Sequence, residues 1–456
     1  MRLKNSIILV VIFILLGAYV YFVEIKKHEK DEQVKQESKK VFALVKDSIT
    51  TLYFKNVNGE FSLEKVDNEW KITRPLETEA DNSTINSMLT SLSNAEKDKE
   101  FIVDLTELSN FGLGESADVV KIITSVGEVD SILLGDDTPV GSNVFSNKSD
   151  STVFTINKSV KSTFDKKLFD IRDRNILHFQ RGDVRIITLN KPSEKYEFEK
   201  EGASDWKIVS IERPADNGKI NSILSKLENN KVKSFVDEQG TQLNKYGLQK
   251  PAFQVDLLLG PEKGQKRLFI SKKIDGKYYA KDDSRKPIFE VDSVLIKDID
   301  LKLEDFRSKD FADFERSEVN KIIIQYQDTV ITCLKDTSTN WYLEDTTRHN
   351  IKSSEVNSFF SNLDFANISE FVKDGKFNAS SYGFDKPSVE LSLFKDDELI
   401  FHAILGKIIN DKVYATSNKY KSVYLLPESK LKDFKLKLDK ILETPAAAEK
   451  IEEDNV

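Results

Sequence analysis

At 456 residues, 39% hydrophobic and 10% aromatic, the chain is too long for one core and rich enough in apolar mass for about three domains, which argues against wholesale disorder. A net charge of -8 lacks the basic footprint of a nucleic-acid binder. Cys333 is the single cysteine, so neither an intrachain disulfide nor a thiolate metal cluster can form.

Residues 6–23 read SIILVVIFILLGAYVYFV, 18 positions without a charge. As a helix they would extend ~27 Å, close to the ~30 Å of a hydrocarbon core. Tyr19, Tyr21 and Phe22 sit near the outer end, where aromatic rings favour the interface. Arg2 and Lys4 precede the run, which predicts a cytoplasmic N-terminus and an extracytoplasmic bulk. The alternative is a cleaved signal peptide. Against it, the run exceeds the roughly 7–15 residues of a signal core, and no small-x-small site follows. Residues 1–24 are therefore expected to be the N-terminus with a single-pass anchor, and 25–40 a charged stalk.

Beyond the stalk the chain aligns with itself. Apolar runs at Ile49-Phe54, Val184-Leu189 and Val319-Tyr326 predict strands, each followed by a second at Phe61-Val66, Tyr196-Lys200 and Val330-Lys335. A polar turn leads to Trp70, Trp206 and Trp341, the only tryptophans. Next comes an eight-residue motif spaced by 135 and 136 residues, beginning at Ile85, Ile220 and Val356. Its apolar positions fall at i, i+3, i+4 and i+7 (Ile85, Met88, Leu89, Leu92 and their counterparts), the stripe of an amphipathic helix. Asp81, Asp216 and Ser353 are the expected N-caps. An aromatic-Gly-apolar triplet follows around Gly112, Gly247 and Gly383, where glycine is expected to supply a positive φ. Further strands are read at Phe253-Leu259, Lys266-Ile270, Ser388-Phe394 and Glu398-Leu405. Hairpins open at Val144-Phe145, Tyr278-Tyr279 and Val413-Tyr414 and close at Val153-Ile156, Ile288-Val291 and Val423-Leu426. A terminal amphipathic helix is expected at Val160-Phe169, Val294-Phe306 and Lys430-Ile441. The predicted fold is α+β: three tandem homologous domains at 41–178, 179–313 and 314–442, each a largely antiparallel sheet with short amphipathic helices, after one transmembrane helix. Residues 443–456 read as a disordered acidic tail.

The recurring residues invite a structural reading, because a folding determinant must occur in every copy whereas a catalytic site normally occurs once. Trp70, Trp206 and Trp341 suit packing between sheet and helix. Asn86, Asn221 and Asn357 flank the apolar stripe, where an amide is expected to tie the helix to a neighbouring loop or strand. His28, His178, His349 and His402 are scattered without ligand spacing. Asp136-Asp137 and Asp282-Asp283 read as solvated turn acids rather than a calcium site. No nucleophile elbow, zinc-protease helix motif or phosphate-cradling loop occurs. Catalytic residues, metal and cofactor are accordingly expected to be none.

The order tryptophan, Ile/Val-Asn-Ser helix, aromatic-Gly-apolar triplet and Tyr/Phe hairpin resembles the domain of unknown function 4340. So do the closing segments Phe169-Asp170-Ile171-Arg172-Asp173 and Phe306-Arg307-Ser308-Lys309-Asp310, the third copy ending at Leu442. The resemblance implies an extracytoplasmic companion of ABC-type transport systems, encoded near subunits related to gliding-motility transporters, with no catalytic residue to carry over. The expectation is a non-enzymatic binding or scaffold protein, anchored by residues 6–23 in the bacterial cytoplasmic membrane and accessory to an ABC-transporter-like or other envelope complex. An envelope hydrolase and a solute-binding transporter component are the alternatives. Nucleic acid is not an expected partner.

Overall fold

The computed structural model describes residues 13–14, 21, 38–42, 45–148, 150–260, 264–344, 349–436 and 441–442. The expected membrane segment, the stalk before residue 38, His28 and the tail at 443–456 lie outside them, apart from isolated positions. Among the described residues no helix is long and apolar enough to cross a membrane.

The first copy contains β1 (Ile49–Asn56), β2 (Gly59–Val66), β3 (Glu69–Arg74), β4 (Thr78–Glu79), α1 (Asn82–Ser93), β5 (Glu100–Ile102), β6 (Asp118–Thr124), β7 (Val129–Asp137), β8 (Asn143–Asn147), β9 (Thr152–Asn157), α2 (Lys158–Phe164) and α3 (Leu168–Ile171). The second contains β10 (Val184–Asn190), β11 (Lys195–Glu201), β12 (Asp205–Ile208), β13 (Arg213–Pro214), α4 (Asn217–Asn229), β14 (Ser234–Asp237), β15 (Phe253–Leu259), β16 (Gln265–Ile270), β17 (Tyr278–Asp282), β18 (Ile288–Val291) and α5 (Ser293–Ile299). The third contains β19 (Lys321–Tyr326), β20 (Thr329–Lys335), β21 (Trp341–Leu343), α6 (Ser353–Asp364), β22 (Glu370–Asp374), α7 (Ala379–Tyr382), β23 (Val389–Lys395), β24 (Glu398–Ile409), β25 (Lys412–Ser417), β26 (Ser422–Pro427) and α8 (Lys430–Asp433).

The fold is α+β, built on antiparallel sheets. The first sheet runs β4-β3-β2-β1-β6-β7-β8-β9-β5. The order recurs as β13-β12-β11-β10-β15-β16-β17, with β14 paired to β18 as β5 is to β9, and again as β21-β20-β19-β23-β24-β25-β26-β22. The strand after each long helix thus returns to the last strand of its copy. By compactness the chain divides into two units. One is Met1–His178 with Asn229–Thr241 and Pro287–Val291; the other is Phe179–Glu228 with Gln242–Lys286 and Asp292–Val456.

Alternation places one side of most strands in a core. In the first unit Leu52 pairs with Leu63 and Ile122, and Phe54 with Phe61 and Val120, all buried. On α1, α4 and α6 the buried residues are the four stripe positions of each copy: Ile85, Met88, Leu89, Leu92; Ile220, Ile223, Leu224, Leu227; Val356, Phe359, Phe360, Leu363. Asp81 and Asp216 accept hydrogen bonds from the backbone amides of Thr84 and Lys219, both at 3.0 Å. The third copy departs from expectation. Ser353 is the first helical residue, and the cap is Lys352, whose side chain makes no capping bond.

The expected terminal helices are each interrupted. Val160-Phe169 is two pieces, α2 and α3, and Val294-Phe306 is α5 followed by a 3-10 turn at Leu303–Phe306. The third is helical at Lys430–Asp433, with 437–440 outside the described residues. Each break is accompanied by the same kind of contact. A side chain from the end of each copy's first strand caps the freed carbonyl: Asn56 Nδ2 donates to Lys166 O (2.9 Å), Lys191 Nζ to Leu301 O (2.6 Å) and Tyr326 OH to Leu436 O (2.9 Å). Three different residues perform one task.

Cys333 is fully buried on β20, and desolvation pushes its thiol up to about 12. Thiol-directed alkylation at neutral pH is therefore expected to be negligible until denaturant is added. Rapid labelling of the folded chain, read by mass spectrometry, would contradict that burial.

Candidate functional site

Trp70, Trp206 and Trp341 are buried at the start of β3, β12 and β21, and their carbonyls accept from Ala80 (3.0 Å), Ala215 (2.7 Å) and Ile351 (2.8 Å). Asn86, Asn221 and Asn357 are exposed, with no side-chain hydrogen bond among the described residues, so they do not tie the helix to a neighbour. That task falls four residues earlier. Asn82 Oδ1 accepts from the Trp70 amide (2.8 Å) and Asn217 Oδ1 from the Trp206 amide (3.0 Å), while their Nδ2 groups donate to Glu69 and Asp205. Identity across the three copies does not reveal this pair, because Ser353 occupies the aligned third position.

Gly112, Gly247 and Gly383 have φ of 68°, 67° and 79°, the left-handed region. The aromatic residue before each glycine packs edge-on against the hairpin: Phe111 on Phe145 (5.0 Å), Tyr246 on Tyr279 (4.9 Å) and Tyr382 on Tyr414 (5.0 Å). The backbone facing the triplet carries Gly135 and Gly406 in the outer copies and Ser271 in the middle one. Among the acids, Asp282 is buried rather than solvated, accepting from Ser284 N (2.9 Å), Ser284 Oγ (2.7 Å) and Arg285 Nε (3.1 Å). His178 Nε2 lies 2.7 Å from Asp173, and His402 Nδ1 lies 3.0 Å from Ser392 Oγ. Among the described residues no group of three His, Cys, Asp or Glu could hold a metal.

Two arginines form matched clasps. Arg172, 3% exposed, places both terminal nitrogens on Glu238 (2.7 and 3.0 Å), with its guanidinium 3.4 Å above the Phe235 ring. Arg307 does the same with Asp374 (2.9 Å twice) and Phe371 (3.8 Å). Paired carboxylate contacts and a ring beneath suit the planar fork of arginine. Strand register defines the equivalent positions elsewhere. Ala80 bridges Arg172 and Ala215 bridges Arg307, but Ile351 bridges Leu442. Phe235 and Phe371 lie opposite Phe289 and Tyr424, but Glu100 lies opposite Phe154. The last copy has leucine for the arginine, and in the first the strand register puts Glu100, not Phe101, at the aromatic position.

In the second unit a cleft of about 1310 Å³ opens beside the Arg307 clasp. Arg213, Trp206, Asn217, Phe371, Lys419 and Tyr420 line it, together with the segment from Arg307 to Ser317. Arg213 stands 4.5 Å over the Tyr420 ring and donates to Ser422 Oγ (3.3 Å), and its terminal nitrogen is 4.0 Å from Asp374. Lys419 pairs with Asp313. Burial alone would raise the Asp374 carboxyl, but hydrogen bonds from Arg307 and Ser422, with the charges of both arginines, hold it below the ordinary carboxylate value. Desolvation pulls the Lys419 ammonium down, against the raising charges of Asp310 and Glu201, and pushes the Tyr420 phenol up to about 12.

The profile of a family described as "Domain of unknown function (DUF4340)" matches residues 70–213 and 206–387, most of the chain, in two tandem copies. The chain belongs to this family. No curated protein matches its sequence. Among solved structures, a DNA polymerase sliding clamp from Pseudomonas aeruginosa, determined with a ligand, aligns at 7% identity over 86% of this chain and 94% of that one. Its TM-score of 0.14 carries no argument. Within this DUF4340 chain, frequency of occurrence sorts the residues. The tryptophans, triplet glycines and T-shaped ring pairs occur three times, and the arginine clasp twice. The set Arg213, Lys419 and Tyr420 occurs once: the aligned positions one copy earlier hold Thr78, Ser284 and Arg285.

Proposed function

We propose that this chain is a non-enzymatic extracytoplasmic scaffold, moored in the bacterial cytoplasmic membrane by residues 6–23 and accessory to an ABC-transporter-like or other envelope complex. The observation that supports the scaffold reading is the arginine clasp, made by Arg172 and Arg307, with Leu442 at the register-equivalent position of the third copy. A buried guanidinium held by one carboxylate fixes register more than it adds stability, which suits a string of modules that must present its surfaces in a set order. Several such surfaces on one tether would multiply weak contacts with a membrane complex. The uncharged run at 6–23 and Arg2 with Lys4 before it support the mooring and its direction.

Protease added outside spheroplasts is expected to digest everything beyond the anchor, and crosslinking in intact cells to capture a transport-system membrane subunit. Full protection of the bulk until lysis would overturn the topology. Crosslinks confined to cytoplasmic proteins would overturn the role.

A further inference from the structure

We propose that the end of the first copy's sheet at which β1 and β7 begin is a docking surface for a membrane-protein partner with an apolar centre and a basic edge. The inference rests on the scaffold reading above and names the surface through which the first copy would act.

Val45, Val66, Val126 and Val129 are 71%, 41%, 78% and 58% exposed. Antiparallel pairing brings them to one end of the sheet. β2 ends at Val66, and Val45 precedes the turn that opens β1. β6 ends at Thr124 and β7 begins at Val129, with Val126 in the turn between them. The pairing of Ile49 with Thr124 and of Ile123 with Val129, and the Ser125 amide on the Ser48 carbonyl (2.7 Å), hold these segments level. β2, β1, β6 and β7 are successive neighbours, so the outer two are about 14 Å apart across the strands.

Strand register identifies the same positions in the other copies. Gln180 and Glu315 precede the turns that open their first strands, where Val45 stands here. Lys65, Lys200 and Lys335 each pair with a tryptophan, and the residues after them are Val66, Glu201 and Asp336. Val129, Gln265 and Glu398 open β7, β16 and β24. Three positions that are polar or acidic in both later copies are thus valine in the first alone. A folding determinant would recur in every copy. Apolar side chains gathered at one end of one copy, and exposed there, are instead the mark of a contact surface.

Charge selects the occupant. Within 45–48, 66–69 and 124–129 the acids Asp47, Asp67, Glu69 and Glu128 are exposed, while the one base, Lys46, is half-buried. A surface built for lipid would present Lys or Arg to anionic headgroups and aromatic rings to the interface, and these segments expose neither. A second copy of this chain would set acid against acid. A protein face with apolar side chains rimmed by Lys or Arg matches both parts.

The test places photoreactive p-benzoylphenylalanine at Val126 or Val129 of the full chain in its native cells, with Gln265 and Glu398 as comparison positions. Illumination is expected to join the first two to a membrane protein about tenfold more than the last two. Mass spectrometry should place the adduct in a segment with apolar residues beside Lys or Arg. Val126→Glu should lower the Val129 adduct about tenfold, the scale of one valine lost from a buried contact. Asp47→Lys combined with Glu128→Lys should lower it as well. All three residues are exposed, and circular dichroism checks the fold of each variant. Adducts to lipid, to a second copy of this chain or to an acidic segment overturn the proposal, as do equal yields at all four positions or an undiminished Val129 adduct in the variants. If Val126 and Val129 are silent while whole-cell crosslinking still captures a transport-system subunit, this surface is wrong and the scaffold reading stands. If neither captures one, both fall.

Discussion

Replacing Gly135 or Gly406 with alanine is expected to be the most damaging single-methyl change in this chain. A Cβ at Gly135 would stand 2.2 Å from the Phe111 carbonyl oxygen, and one at Gly406 2.1 Å from that of Tyr382. Backbone, not a movable side chain, is what it strikes. The facing glycines are less tight but still closed: a Cβ at Gly112 meets the Asp136 side chain at 2.5 Å and its amide at 2.7 Å, and one at Gly383 meets the amide of Lys407 at 2.8 Å. The two backbones therefore interlock, and relief requires parting the triplet from its strand and losing the ring pair beside it. A cost above ~3 kcal/mol is expected for Gly135→Ala. The middle copy supplies the control. There the facing residue is Ser271, and a Cβ at Gly247 meets only the Ile274 Cδ1 methyl at 3.0 Å and Ser271 Cβ at 3.4 Å. Gly247→Ala should cost about 1–2 kcal/mol, mostly for its positive φ. Urea midpoints for the two variants would decide the matter; equal losses would refute the interlock.

Breaking an arginine clasp from the acid side is the second large effect. Asp374→Ala leaves Arg307 buried without its carboxylate, and Glu238→Ala does the same to Arg172. A fully desolvated pair would lose 3–5 kcal/mol. The carboxylates are 42% and 38% exposed, so roughly 2 kcal/mol is expected for each. The pH dependence has a definite sign. The Asp374 carboxyl is depressed in the folded state, so its contribution is fully present above the ordinary carboxylate value and is lost as pH falls through the lower folded one. Wild-type stability should therefore fall on acidification more steeply than that of Asp374→Ala. Parallel pH profiles would show that the pair contributes nothing.

The repeat, the helical stripes and the hairpins were legible because their signal is periodic and local. Ile85, Met88, Leu89 and Leu92 announce a helix whatever surrounds them. The edge strands β5, β14 and β22 were not legible. Glu100, Phe101 and Ile102 are all exposed and show no alternation, and their partner β9 lies some fifty residues on. The interruptions of the terminal helices were hidden for a related reason: the carbonyls beyond them are met by Asn56, Lys191 and Tyr326, which share a position and a hydrogen bond but no chemistry visible in an alignment of copies. Asn86 recurs in all three copies yet stands exposed, whereas Asn82, which holds the Trp70 amide, has an asparagine counterpart only at Asn217. Arg172 and Arg307 were visible as closing residues, but not what they close upon, since Glu238 and Asp374 are 66 and 67 positions away. Arg213 offered no signal at all, being unique.

The donor on the first copy and the acceptor on the third are chemically interchangeable: Arg172 and Arg307 each engage a phenylalanine and an acid three residues apart. Excising the middle module between equivalent positions would bring Arg172 to Phe371 and Asp374 and leave a shortened chain with a complete junction. Lengthening by duplicating that module would likewise create matched joints. The number of modules is thus open to revision from within.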